Sequence, residues 1–207
     1  MNHPLLRRHD DEFGQVRYYD SEAYVYGIEI SPIKGVCNPQ IVGEKKDVAV
    51  VLPDNFFKSA VSNYKLTINK YYYDGNKFEV ATVNNVCIIT GEHIPLTHTY
   101  SLVNKLYQAF CFKEVVTVDF VDSIGEVSTL STESDSKFTQ LKPPYHLKDF
   151  SAAFYTLCVM EKLKCESFVV QEDTPQIEKV LSYIREHSGL ADIQLPVVSY
   201  SFSTLYA

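Results

Sequence analysis

Continuous apolar runs and helical stripes take turns along this chain. Val48 to Leu52 is wholly apolar and stops at Pro53, and Val86 to Thr90, VCIIT, is nearly so and stops at Gly91. Short apolar runs bounded by chain breakers read as strands covered on both faces. From Thr97 to Phe112 the period lengthens. Leu102, Leu106, Ala109 and Phe110 recur near the helical repeat, with Val103 beside them, which predicts a helix. Val115 to Val121 returns to alternation, with Val116, Val118 and Phe120 on one side and Thr117 and Asp119 on the other. Gly125 then turns the chain into a short strand from Glu126 to Leu130. A second helix is expected over Asp149 to Leu163, where Phe150, Ala153, Phe154, Leu157 and Cys158 form an apolar stripe, and a short buried strand over Ser167 to Val170. The third helix has the fullest punctuation: Thr174 as N-cap, Pro175 in the first turn, a stripe of Ile177, Val180, Leu181 and Ile184, His187 in the last turn, and Gly189 just beyond it.

The N-terminal part is less regular. Residues 1–21 are polar, charged and without period, and read as an arm. EAYVYGIEI, residues 22–30, alternates as a strand does, and Ser31 to Lys46 is loop-like, with Pro32, Gly35, Pro39 and Gly43. Asp74-Gly75 lies between polar, aromatic-rich flanks and predicts a surface hairpin within Tyr64 to Val83. Residues 131–146, rich in Ser and Thr and holding Pro143-Pro144, read as a loop. From residue 86 the order is strand, helix, strand, strand, helix, strand, helix. Buried strands alternating with helices imply an α/β fold with helices on both faces of a sheet. The expected organisation is an N-terminal arm (1–21), an α/β domain (22–189) and a C-terminal tail (190–207).

Composition narrows the function. With 207 residues, 45% apolar and 22% charged, the chain has the balance of a globular protein and enough length for one core. No apolar run approaches the roughly 18 residues of a membrane span, and MNHPLLRRHDDEF lacks the apolar stretch of a secretory signal. A net charge of -7 with 19 Lys and Arg offers no basic field for nucleic acid. The five cysteines are odd in number, widely spaced and without a CxxC pair, which fits reduced thiols in the cytoplasm. Tyr (15) and Phe (12) without any Trp reflect mainly strand preference.

Familiar catalytic signatures are absent: the sequence holds no GxSxG, GxxxxGK[ST], GxGxxG or HExxH. Glu92, His93 and His98 are the best polar cluster. They follow a buried strand and could supply a base or metal ligands, as an enzyme on a phosphorylase-like or hydrolase-like fold would need, but an ordinary strand-to-helix loop is the stronger reading. Asp119 and Asp122 fall on opposite strand faces, which suits solvated or capping roles. Cys111 and Cys158, on apolar helix faces, read as buried structural thiols.

The chain ends in Leu205, Tyr206 and Ala207: a hydrophobic residue, a tyrosine, any residue, then the carboxylate. Such a tail offers an apolar side chain for a groove, a flat ring with a hydrogen-bonding tip, and an anion for a lysine or for backbone N–H groups. Val198, Tyr200 and Phe202 alternate ahead of it, so the tail can begin as an edge strand.

This ending resembles the hydrophobic-Tyr-X (HbYX) tail by which proteasome activators and assembly chaperones dock on the proteasome. Leu141 to Glu172, LKPPYHLKDFSAAFYTLCVMEKLKCESFVVQE, resembles the matching region of the proteasome assembly chaperone 1 family. A loop with Pro143-Pro144 leads to a helix with Asp149, Ala152-Ala153 and Cys158, then a strand over Phe168 to Val170. The resemblance implies a three-layer α/β/α sandwich similar to nucleoside phosphorylases but without their catalysis, and so no catalytic residue, no metal and no cofactor. It implies a heterodimer with a second proteasome assembly chaperone that holds proteasome α subunits while the α ring forms, in the cytoplasm and also the nucleus. Leu205, Tyr206 and Ala207 would then be the partner-binding residues, entering a pocket between adjacent α subunits.

Overall fold

Val48–Val51 forms β1, and all four of its residues are buried because the strand is flanked on both edges and covered on both faces. It pairs in parallel with β4 (Val86–Gly91), Val48 opposite Val86, and with β5 (Glu114–Val121), Val48 opposite Glu114. The structure, a computed structural model, describes residues 41, 43–62, 64, 67–73, 76–91, 96–122, 124–171 and 174–194. Beside β5 lies β8 (Lys164–Gln171), also parallel, which completes a parallel centre. On one flank β3 (Asn76–Val83) runs antiparallel to β4, and β2 (Thr67–Tyr73) antiparallel to β3. On the other, β6 (Ser128–Ser131) runs antiparallel to β8 and carries the two-residue β7 (Thr139–Gln140). The eight-stranded order is β2-β3-β4-β1-β5-β8-β6-β7.

Among the described residues, four helices cover this sheet. α1 (Asp54–Val61) follows β1 and α4 (Thr174–Ser188) follows β8. Phe56, Phe57 and Ala60 of α1 join Ile177, Val180, Leu181 and Ile184 of α4 over Val48, Val50, Ile88, Val116, Val118, Phe168 and Val170 in one core. Alternation sends Ala49, Val51, Val115 and Cys165 to the opposite face, where they too are buried. α2 (Leu96–Phe110) and α3 (Asp149–Glu161) pack on each other, and α3 lies against β5 and β8. Leu102, Leu106, Phe154, Leu157 and Cys158 are among their fully buried side chains. The arrangement is the α/β/α sandwich expected from the element order.

Four details differ from the sequence reading. α1 was not anticipated: it is short, starts at Pro53 without a side-chain cap bond, and shows its stripe only as Phe56, Phe57, Ala60 and Val61. The hairpin of β2 and β3 is not a surface appendage, because Phe78 to Ala81 are buried where β3 joins β4. β8 extends well beyond Ser167–Val170, its first turn of sequence disguised by Lys164 and Glu166. Cys111 is exposed rather than on an apolar helix face, since α2 ends at Phe110 and Cys111 takes a positive φ of 50°. The expected arm and the strand at 22–30 lie outside the described residues.

Candidate docking site

The connections β1-α1, β4-α2 and β8-α4 bring helix N-termini to the carboxyl end of the parallel strands, where ligands sit in open α/β sheets. α3 begins there as well, and its start is occupied by the chain's own carboxylate. Asp119, near the end of β5, accepts the Lys148 backbone N–H at 2.9 Å and the Ser151 hydroxyl at 2.7 Å. Lys148, the N-cap residue, makes no cap bond of its own and donates its ammonium to the Phe120 carbonyl at 3.0 Å. Asp119 therefore has the capping role, and it fills the position at α3 that an anionic ligand would otherwise find favourable. Asp122 is exposed. Glu92 and His93 lie outside the described residues, as does the side chain of His98, whose backbone is in α2. Among the described residues no group of three or more His, Cys, Asp or Glu is placed to hold a metal ion.

The root of the C-terminal segment is built in detail. Gly189 leaves α4 at a φ of 69°, the left-handed conformation that suits a residue without Cβ. Leu190 and Ile193 are then buried, at 2% and 1% exposure, in the core shared with α4, so packing continues past Gly189. Arg185 clamps this turn: one guanidinium nitrogen donates to the Ile193 carbonyl at 3.1 Å while the other pairs with Glu178 at 2.6 Å. The Tyr64 hydroxyl accepts the Asp192 backbone N–H at 2.9 Å, and burial pushes the Tyr64 phenol above its ordinary pKa. An open depression of about 430 Å³ lies here, lined by Arg185, Ala191, Asp192, Ile193 and Gln194. Sequence reasoning missed Tyr64 because nothing local marks a partner 128 positions away, and Arg185 because a charged residue on a helix reads as solvated surface. Leu205, Tyr206 and Ala207 lie outside the described residues.

No family model matches the chain, and no curated protein matches it. Solved structures do. A protein of unknown function from Thermoplasma acidophilum superposes with a TM-score of 0.55 at 12% identity, covering 73% of this chain and 79% of that one. A proteasome-assembly chaperone homologue of Mycobacterium tuberculosis gives 0.53 at 10% identity, covering 73% and 88%. An archaeal proteasome activator of Pyrococcus furiosus gives 0.52 at 13% identity, covering 77% and 89%. The likeness is one of fold: this chain has the α/β architecture of solved proteasome assembly chaperone homologues.

Proposed function

We propose that this protein is a non-catalytic chaperone of proteasome core assembly. In this reading it pairs with a second proteasome assembly chaperone, holds α subunits as the α ring forms, and docks Leu205, Tyr206 and Ala207 in a pocket between adjacent subunits. The observation that carries the reading is the conjunction of a proteasome-assembly-chaperone fold with a hydrophobic-Tyr-X ending on one chain.

The chemistry of the tail supports it. The Ala207 carboxylate would pair with a lysine, a charge-assisted contact worth about 1.5–3 kcal/mol net. Tyr206 would stack and hydrogen bond, and Leu205 would fill an apolar recess. Three residues bind weakly alone. The body therefore matters: because the chain is fixed as far as Ile193, the remaining segment reaches at most about 3.5 Å per residue from that root. Body contacts on the ring would then present the tail at an effective concentration on the order of mM. Such modest, linked contacts suit a chaperone that must leave a finished ring. In this reading the protein acts in the cytoplasm and also in the nucleus, where it would meet its α subunits. Among the described residues no helix is long and apolar enough to cross a membrane.

The test is co-purification of α subunits with the intact chain, with Tyr206→Ala, and with a chain lacking Leu205 to Ala207. Both variants should lose most of the bound α subunits. Undiminished binding would overturn the docking role.

A further inference from the structure

The two edges of the sheet are unlike. β7 has two residues, with exposed Lys137 before it and exposed Lys142, Pro143 and Pro144 after it. A very short strand, lysine and proline are the features that close an edge to further pairing. β2 lacks this protection. It holds seven residues without proline, and Thr, Ile and three Tyr among them favour strands. Its one charge, Lys70, is engaged with Glu79 of β3 at 3.7 Å, while Ile68 is exposed. Among the described residues no backbone group bonds to the side of β2 away from β3.

The root of the C-terminal segment lies beside the start of this edge. Tyr64 stands three positions before β2, and its hydroxyl accepts the Asp192 N–H at 2.9 Å. From Asp192 to Val197, five extended residues reach up to about 17 Å. Leu195 to Ala207 lie outside the described residues and include no charged side chain. Pro196 suits the first position of an edge strand. In Val197 to Phe202, which follow it, Val198, Tyr200 and Phe202 alternate with Ser199 and Ser201.

Topology allows the pairing in one direction. β2 runs parallel to β1, because the two antiparallel steps from β4 to β3 and from β3 to β2 cancel. A segment that sets out beside Tyr64 runs along β2 from its start, and so parallel to it. The connection from β8 through α4 would cross the sheet toward β2, as β1-α1-β2 does, and on the same face, since α1 and α4 share one core. The two crossovers therefore have the same hand, as parallel connections almost always do.

We propose that Val197 to Phe202 adds to the free edge of β2 as a further parallel strand, with Val198, Tyr200 and Phe202 covering Ile68. The addition gives the outer backbone groups of β2 partners and closes an edge that would otherwise invite foreign strands. An uncharged segment meets no repulsion from a chain of net charge -7. The strand leaves only Ser203 to Ala207 free and preorganises Leu205, Tyr206 and Ala207 for capture. That consequence rests on the docking reading, whereas the strand itself does not.

The experiment is hydrogen–deuterium exchange on the full chain and on a chain lacking Val197 to Ala207. Peptides covering β2 should exchange at least about tenfold more slowly in the full chain. The double variant Ser199→Pro/Tyr200→Pro removes two adjacent N–H groups, one of which must face β2, and should match the deletion. Ser203→Pro, beyond the strand, should leave the exchange unchanged. In a Cys111→Ser background, Ile68→Cys should form a disulfide with a cysteine placed at Val198, Tyr200 or Phe202, and with none at Ser199 or Ser201. Circular dichroism confirms that each variant is folded. Tyr206→Ala should leave the protection of β2 intact, so a failure of docking and a failure of the strand are read separately. Fast exchange of β2 in both chains overturns the proposal. So does slow exchange in both, which would give the edge to another segment, and so does protection that grows with protein concentration, which would give it to a second copy.

Discussion

The Asp119 carboxylate accepts the Ser151 hydroxyl at 2.7 Å, across 32 positions of sequence, and so caps a helix to which it does not belong. It also takes the Lys148 N–H, one of the orphan donors at the start of α3. Asp119→Ala should destabilise the fold by about 1–2 kcal/mol, the range for a lost N-cap with its charge. Asp119→Asn keeps an acceptor and should cost less. Urea denaturation of the two variants reads the order, and an Asp119→Ala variant as stable as wild type would refute the cap.

Gly43 lies against the ring of Phe110, at the end of α2. A Cβ placed on Gly43 would stand 2.3 Å from Phe110 Cε1, and Phe110 is only 1% exposed, so the ring has little room to retreat. Gly43→Ala should therefore cost about 1–3 kcal/mol by overpacking. In the double variant Gly43→Ala/Phe110→Leu the smaller side chain should recover part of that loss. Thermal unfolding of the single and double variants measures both.

The cysteines should differ sharply in reactivity. Cys87, Cys158 and Cys165 are fully buried, while Cys111 is exposed. Native protein treated with an aromatic disulfide reagent should be modified rapidly at Cys111 among these four, and at the others only after unfolding. Mass spectrometry of the labelled peptides identifies the site, and Cys111→Ser should lower the fast-reacting count by one. Rapid labelling of Cys158 in native protein would contradict the packing of α3.

Alkaline pH should weaken the fold through buried acids that keep their protons. Burial pushes the Cys87 thiol up to about 12 from an ordinary value of 9.0. Cys158 is raised by its hydrogen bond with Cys165 and then by burial, and Tyr183 by burial and then by the charge of Glu166. Above pH 9 the unfolded chain releases the Cys87 proton while the folded chain retains it. This group's contribution is thus complete below pH 9 and is lost as pH rises toward 12, with a slope of at most about 1.4 kcal/mol per pH unit. Urea unfolding at pH 8 to 10.5 should show the decline, and Cys87→Ala should decline less steeply. Identical slopes for the two proteins would count against the buried thiol.

What was legible followed from how local each signal is. β1 and β4 stood out because burial on both faces leaves no polar position to interrupt the run. The hairpin expected around Asp74-Gly75 is present in its two strands, with Tyr73 opposite Asn76, while the two turn residues lie outside the described residues. β8 was shortened in the reading because Glu166 looks like a solvent residue. It is buried at 4% exposure, its carboxylate accepting the hydroxyls of Thr129, at 3.0 Å, and Ser136. That pairing depends on a strand 37 positions away. The candidate tail was readable as a pattern of three residues, whereas its root at Tyr64, Arg185 and Ile193 was not.

The sequence by itself determined the alternation of strands and helices, the apolar stripes of α2, α3 and α4, and the chemistry of the last three residues, because period, breakers and side-chain type are properties of neighbouring positions. The tertiary structure alone decided that β1 lies between β4 and β5, that Asp119 caps α3, that Glu166 is buried with its donors, and that Val159 and Met160 remain uncovered. Each of these depends on which distant segments meet, and hydrogen bonding and burial are settled only where they do.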